Sequence, residues 1–159
     1  MALSISSLTV TQIAGLTTTT IQGLTASEIA ALSTTQIGAF TTTGIGAFSG
    51  TQLARLSTRQ MVGLTADQIG ALSVGQIQFS GAQLSVLLDA QVQALGTEKI
   101  DALTAAQLAG FTSRQVQALT NEQLAVFSST ERSSAAVNEP SARGPDGTRP
   151  AGPEATTPP

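Results

Sequence analysis

Three carboxylates, Asp89, Glu98 and Asp101, fall in the one stretch of the chain whose sequence pattern is irregular, residues 72–101. Grouped carboxylates could bind a cation or present an acidic surface to a partner. Their spacing matches neither an EF-hand loop nor a Gly-Gly-x-Gly-x-Asp calcium repeat, so the sequence predicts no metal site. They are candidate interaction residues, and the simpler alternative is that the irregular stretch is a phase shift on a solvated face.

Most side chains that perform catalysis are missing from this chain. Its 159 residues include no Cys, His, Trp or Tyr. The chain therefore offers no imidazole base, no thiolate nucleophile and no His or Cys metal ligand. We expect a protein that is not an enzyme and needs no cofactor. The rival hypothesis is an enzyme built on scattered carboxylates, which is disfavoured because the acids are not paired at a fixed spacing.

Cationic side chains are few and widely spaced. The formal net charge is −3, and the only cations before residue 128 are Arg55, Arg59, Lys99 and Arg114. A nucleic-acid interface requires a basic patch, so no nucleic-acid partner is expected. Because Arg is common at the energetic centre of protein interfaces, the three arginines are the candidate contacts for a protein partner.

From residue 8 to residue 127 the chain divides into consecutive units of eight residues, whose positions we letter a to h. Position a holds Leu or Phe, b is nearly always Thr or Ser, f is always aliphatic, and h is usually Gly or Ala. Position e is mostly Gln, with departures at Thr20, Glu28, Gly44 and Lys99. The consensus is L-T-x-x-Q-I-x-A/G, and fifteen copies follow one another, one of them shortened to seven residues at 72–78.

The spacing of the apolar positions excludes the two simplest structures. Positions a and f lie five and then three residues apart, so in a strand they would point to opposite faces. One continuous helix fails as well, because eight residues at 3.6 per turn leave about 80° of drift per unit. The apolar residues must therefore be gathered by a chain that turns within each unit.

Each unit carries the signals of a complete helix start. Ser or Thr at b and Gln at e form a capping box, and the apolar residues at a and f occupy the two positions of a hydrophobic staple. The small residue at h is expected to let the chain turn sharply. The sequence thus predicts an all-α, short-period α-solenoid of capped one-to-two-turn helices, with positions a and f in the core.

The composition divides the chain into two regions. We expect a repeat solenoid over residues 3–127 and a disordered C-terminal tail over residues 128–159, which contain every Pro and no Leu, Ile, Phe or Met. The first and last repeats lack polar caps, so we expect either self-association through the apolar ends or truncation from a longer parent protein. No cleavable secretory signal is expected, and no apolar run is long enough for a transmembrane segment.

The segments LTVTQIAGL, LTADQIGAL and LTAAQLAGF resemble the L-T-T-x-Q-I/V-x-A-L octapeptide arrays found in large proteobacterial proteins, many of them secreted or surface-associated and adhesin-like. The resemblance covers about residues 8–127 and brings no catalytic residues with it. It implies a structural spacer or presenting stalk in a bacterial extracellular or cell-surface protein. The alternative is a solenoid that binds a peptide or protein partner along its side.

Overall fold

The computed structural model describes residues 4–138, with side chains as far as residue 129. Every regular element in that part of the chain is helical, which confirms the predicted all-α class. Two 3-10 helices span Ile5–Ser7 and Val74–Gln76. The α-helices are α1 (Val10–Ala14), α2 (Thr18–Gln22), α3 (Ala26–Ala30), α4 (Thr34–Ala39), α5 (Thr42–Gly46), α6 (Gly50–Leu53), α7 (Thr58–Met61), α8 (Ala66–Ala71), α9 (Gly81–Ser85), α10 (Asp89–Ala94), α11 (Gly96–Asp101), α12 (Ala105–Leu108), α13 (Ser113–Ala118) and α14 (Asn121–Asn138).

The predicted capping box starts most of these helices. At α8 the Gln68 backbone N–H donates to Thr65 Oγ1 over 3.2 Å, and the Thr65 backbone N–H donates to Gln68 Oε1 over 2.8 Å. Each Ser or Thr that caps a helix has an extended backbone, which changes the chain direction between one short helix and the next. Where Leu88 replaces the hydroxyl residue, its backbone N–H still donates to Gln91 Oε1 over 2.7 Å. The Gln half of the box therefore suffices to start α10.

The core is built from positions a and f, as predicted. Position f is buried from Ile13 to Leu108, and position a is buried from Leu32 to Leu103. The rings of Phe40 and Phe48, at neighbouring a positions, meet edge to face with their centres 5.1 Å apart. Position d is exposed in every unit. A single continuous core therefore runs along the solenoid.

Successive turns of the solenoid stack so that most helices pack on the helix three places later, when the 3-10 helix Val74–Gln76 is counted. The pairs include α1 with α4, α5 with α8, and α10 with α13. One turn of the solenoid therefore holds between three and four of the eight-residue units. Since a lone helix of four to six residues is unstable in water, these contacts between turns are what hold the helices in place.

The small residues at position h have a different role from the predicted one. Gly23 and Ala31 end their helices with φ −81°, which any residue adopts. Among the described residues only Gly96 has a positive φ, at 70°. At Gly63 and Gly110 the requirement for a small residue comes instead from close packing between turns. A Cβ on Gly110 would lie 2.3 Å from Gly81 Cα, and one on Gly63 would lie 2.6 Å from the Thr34 carbonyl oxygen.

We expect Gly110→Ala to lower the free energy of unfolding by about 1–3 kcal/mol, because the new methyl group overlaps the backbone of the preceding turn. Gly46→Ala is the matched control, since a Cβ there meets nothing within 4 Å. That change should stabilise α5 by about 0.5–1 kcal/mol. Urea unfolding followed by far-UV circular dichroism compares them, and an equal effect of both substitutions would contradict the close packing.

The irregular stretch continues the solenoid with two local changes. The seven-residue unit forms the 3-10 helix Val74–Gln76 in place of an α-helix. Further on, α10 and α11 are joined directly at Leu95 and Gly96, where the b hydroxyl is missing. The core residues Ile77, Val92 and Ile100 remain buried across this region.

The last helix extends beyond the repeat units at the C-terminal end. Helix α14 continues past Phe127 to Asn138, eleven residues into the segment predicted as the tail. Residues 128–138 contain neither Pro nor Gly, so nothing stops the helix before the first proline, Pro140. Helix α14 packs against α11 and α12 and so covers part of this end. Residues 139–159 of the predicted tail lie outside the described residues.

Candidate functional site

The three predicted acidic residues do not form a metal site within the described residues. In the part of the chain that the structure describes, no three acids lie together in a way that could hold a metal ion. Asp89 Oδ2 accepts from Arg114 Nη2 over 3.1 Å. Glu98 and Asp101 lie exposed on α11. The irregular stretch therefore presents separate surface carboxylates.

The three arginines are all exposed on the surface. Arg114 is 81% exposed and its ion pair with Asp89 is open to solvent, so that pair contributes little to stability. Arg55 is exposed at position h, where most units have Gly or Ala. Arg59 lines a shallow groove of about 450 Å³ together with Thr34 and the 43% exposed Val62. Arg59 therefore lies beside an exposed apolar side chain.

The most regular polar feature is the glutamine at position e, which has a second role that the sequence reasoning missed. Gln68 is 2% exposed. Its Oε1 completes the capping box at Thr65, while its Nε2 donates to the carbonyl oxygens of Ile37 at 3.0 Å and Phe40 at 2.7 Å. Those two carbonyls belong to the preceding turn of the solenoid. One side chain thus caps its own helix and binds the turn beneath.

The same arrangement is repeated along the solenoid, and we call it the glutamine lattice. Each member donates through Nε2 to backbone carbonyls 27–31 residues earlier. The seven-residue unit shortens this separation by one residue for the glutamines that follow it without interrupting the lattice, since Gln83 donates to Leu56 O, 27 residues earlier, at 2.7 Å. Members of the lattice are Gln36, Gln52, Gln60, Gln68, Gln76, Gln83, Gln91, Gln107, Gln115 and Gln123.

The lattice explains why the residue is Gln and not Glu. A carboxylate would complete a capping box equally well, but it has no N–H to donate to the carbonyls below. Lys99 stands in for Gln in one unit, and its Nζ donates to Gly70 O over 3.1 Å. Through these bonds, no buried side-chain polar atom of the described residues lacks a hydrogen-bond partner.

The first turn departs from the lattice because no turn lies beneath it among the described residues. Its three e positions are Gln12, Thr20 and Glu28. Gln12 accepts the capping bond from Thr9, and the Thr20 hydroxyl bonds to the Thr17 hydroxyl. None of the three donates to an earlier turn within the described part of the chain. Two of the four departures from Gln therefore lie in this first turn, where no earlier turn among the described residues presents carbonyl oxygens to a side-chain donor.

Glu28 is held as a carboxylate by its capping box. The Thr25 backbone N–H, at 2.8 Å from Oε2, and then the Thr25 hydroxyl, at 2.7 Å, lower the pKa of Glu28. Because the folded pKa lies below the unfolded one, this carboxylate stabilises the fold above its unfolded pKa. That stabilisation is lost as the pH falls through the lowered folded pKa.

We expect Thr25→Val to move the pKa of Glu28 part of the way back towards its ordinary value, since the hydroxyl is lost and the backbone N–H is kept. Carbon-13 NMR of the Glu28 carboxyl during an acid titration measures the change. Thr17→Val, which alters the cap of α2, is the control and should leave this titration unchanged. An identical Glu28 pKa in both variants would contradict a role for the hydroxyl.

These features define the chain as a helical repeat solenoid with a period of eight residues. The model of the ALTTAQ repeat family matches residues 45–79. This match covers the units from α5 to the seven-residue copy and supports the assignment of the chain as a repeat protein. Comparison with curated proteins gives no match, and neither does comparison with solved structures. In the described part of the chain, no helix has both the length and the apolar character needed to cross a membrane.

Proposed function

We propose that the protein is a non-enzymatic structural repeat protein, a spacer that holds other surfaces apart. The observation that supports this proposal is the glutamine lattice, which links each turn to the preceding one by buried side-chain bonds to backbone. A bacterial extracellular or cell-surface setting is part of the proposal and rests on the resemblance of the octapeptide repeats alone.

The physical case for a spacer is that the same contacts recur at every step. A typical unit adds two apolar residues to one continuous core and one Gln to the lattice. Stability then grows roughly with the number of units, and length can change by whole units without redesign of the contacts. A lattice of charge-neutral amide bonds also holds its geometry when the salt concentration changes.

A distance measurement tests the proposal. The chain has no Cys, so Thr35→Cys and Ala106→Cys, both at exposed d positions, place two dyes specifically. Single-molecule energy transfer should give one narrow distance distribution. A second variant repeats residues 48–71 once, which adds three units. This variant should lengthen the distance between the dyes by about 8–10 Å, the separation of packed helices, and should leave the width of the distance distribution unchanged. A broad distribution in either protein would refute the rigid spacer.

The groove beside Arg59 favours a second candidate function, the binding of a protein or peptide partner along the side of the solenoid. Arg59, Val62 and Thr34 combine a cation, an exposed apolar side chain and a polar wall. Replacing Arg55, Arg59 and Arg114 together by Ala should weaken capture of a specific partner in a pull-down with the full chain. Undiminished capture by the triple variant would remove these arginines as anchors.

Self-association through the apolar ends stays a prediction. The two ends of the solenoid differ. Helix α14 packs over α11 and α12 at one end, whereas the first turn has no such cover among the described residues. Light scattering over a range of protein concentrations tests this prediction, and a strict monomer at high concentration would contradict it.

A further inference from the structure

The first turn of the solenoid contains an apolar groove of about 460 Å³. Leu8, Leu16 and Leu24 line it, with Ile5 at its base. These three leucines at position a are half-buried, whereas the next one along the chain, Leu32, is only 3% exposed. The volume lies within the range of ordinary ligand pockets, about 300–1,000 Å³.

In the interior of the solenoid, the leucines at the same position are covered by the neighbouring turn. Such a turn over the groove would present backbone carbonyl oxygens to the side chains at position e, as Ile37 and Phe40 do to Gln68. The polar edge of the groove does not suit such a surface. Glu28 has no N–H to donate, and Thr20 already shares its hydroxyl with Thr17. Carbonyl oxygens placed over Glu28 would face a carboxylate.

The negative charge at this edge of the groove favours a partner with a cationic group. Glu28 is the only charged side chain in the first 54 residues. Both hydrogen bonds recorded for its carboxylate among the described residues end on Oε2, so Oε1 is left to accept from a partner. The two Thr25 bonds also fix its orientation, which reduces the entropy that a partner must overcome to bind it. An ammonium or guanidinium group satisfies this oxygen best.

We propose that the groove of Leu8, Leu16 and Leu24 docks a segment of another protein that carries aliphatic side chains next to a Lys or Arg, with the cation on Glu28. The aliphatic side chains fill the apolar floor, and the cation bonds Oε1 at the edge. This proposal goes beyond the spacer function and does not depend on it. A second copy of this chain is the less suitable occupant. A turn stacked on the groove would place backbone carbonyl oxygens, which accept hydrogen bonds, against the Glu28 carboxylate, which also accepts them.

A random dodecapeptide display library, selected against the full chain immobilised through its C terminus, tests the proposal. We expect the enriched peptides to carry Lys or Arg within one helical turn of two aliphatic residues. A synthetic peptide from the selection should shift the methyl NMR signals of Leu8, Leu16 and Leu24 and leave those of Leu56 and Leu64 in place.

Matched variants then separate the cation contact from the apolar one. Glu28→Gln keeps an oxygen for the Thr25 capping bond but removes the charge. It should raise the dissociation constant of the peptide about fivefold. Asp67→Asn removes an exposed acid on α8 and should change nothing. Leu16→Gln should abolish binding while far-UV circular dichroism stays helical.

Three results would overturn the proposal. The first is a selection that enriches no peptide over the Leu16→Gln protein, or peptides without a cation. The second is concentration-dependent association of the chain, seen by sedimentation, that shifts the same leucine methyls and so identifies a second copy as the occupant. The third is peptide binding that appears only after removal of residues 1–3, which would make the chain itself the occupant.

Discussion

Gln68→Glu is expected to lower the free energy of unfolding by about 3–5 kcal/mol at neutral pH, although it changes one atom of the side chain. The carboxylate keeps the capping bond from the Thr65 N–H. It loses both bonds to the carbonyls of Ile37 and Phe40, and it places a buried charge against those oxygens. Urea unfolding followed by circular dichroism measures the loss.

The control is Gln12→Glu, in the first turn. Gln12 makes the same capping bond, from Thr9, and donates to no earlier turn among the described residues. The substitution should have little effect, since Glu28 already fills the equivalent position two units later. Similar losses in the two variants would show that the capping box, and not the lattice, is what Gln provides.

The pH dependence gives a second check on the same pair. Burial against two carbonyl oxygens raises the pKa of the glutamate introduced at position 68. The penalty is therefore present at neutral pH and diminishes as the pH falls through that raised pKa, because the protonated acid can donate. Gln12→Glu should show no such recovery. An acid-independent loss in Gln68→Glu would mean that its carboxylate escapes to solvent.

The sequence predicted the helices because their signals are local. Ser or Thr at b, Gln at e and apolar residues at a and f lie within five residues of one another, and the caps appear as predicted at Thr65 and Ser80. The lattice was missed because each Nε2 reaches carbonyls 27–31 residues away. One signal was available. A capping box accepts Glu as readily as Gln, yet position e has Glu only at Glu28, which indicates that a donor is needed elsewhere.

The difference at position h has the same physical origin, contact between turns. Position h was explained by the turn that follows it, but Gly63 and Gly110 are small because the preceding turn lies against them. The extension of α14 beyond Phe127 follows from the absence of Pro and Gly from residues 128–138, a local feature of the sequence. Among the candidate interaction residues, Asp89 and Arg114 are joined by an ion pair, although they lie 25 residues apart in sequence.

The eight-residue unit itself can be tested by two deletions in the middle of the solenoid. Removing residues 64–71 takes out one whole unit and joins Gly63 to Leu72, so the later glutamines can bond to the equivalent carbonyls one unit earlier. The close approaches of Gly63 to Thr34 and of Gly110 to Gly81 each lie wholly on one side of the cut. We expect a cooperative helical melt whose midpoint falls by only a few degrees.

Removing residues 64–67 should cause much greater damage. This deletion takes away the buried Leu64 and the Thr65 cap but leaves Gln68 and Ile69 directly after Gly63, too short a remnant to form a capped helix. Ile69, fully buried in the intact chain, loses its place in the core, and the carbonyls of Ile37 and Phe40 lose their donor. Together these losses amount to several kcal/mol. Thermal melts followed by far-UV circular dichroism should show a much lower midpoint or two separate transitions. If the four-residue deletion melts like the eight-residue one, the octad is not the unit in which this solenoid folds.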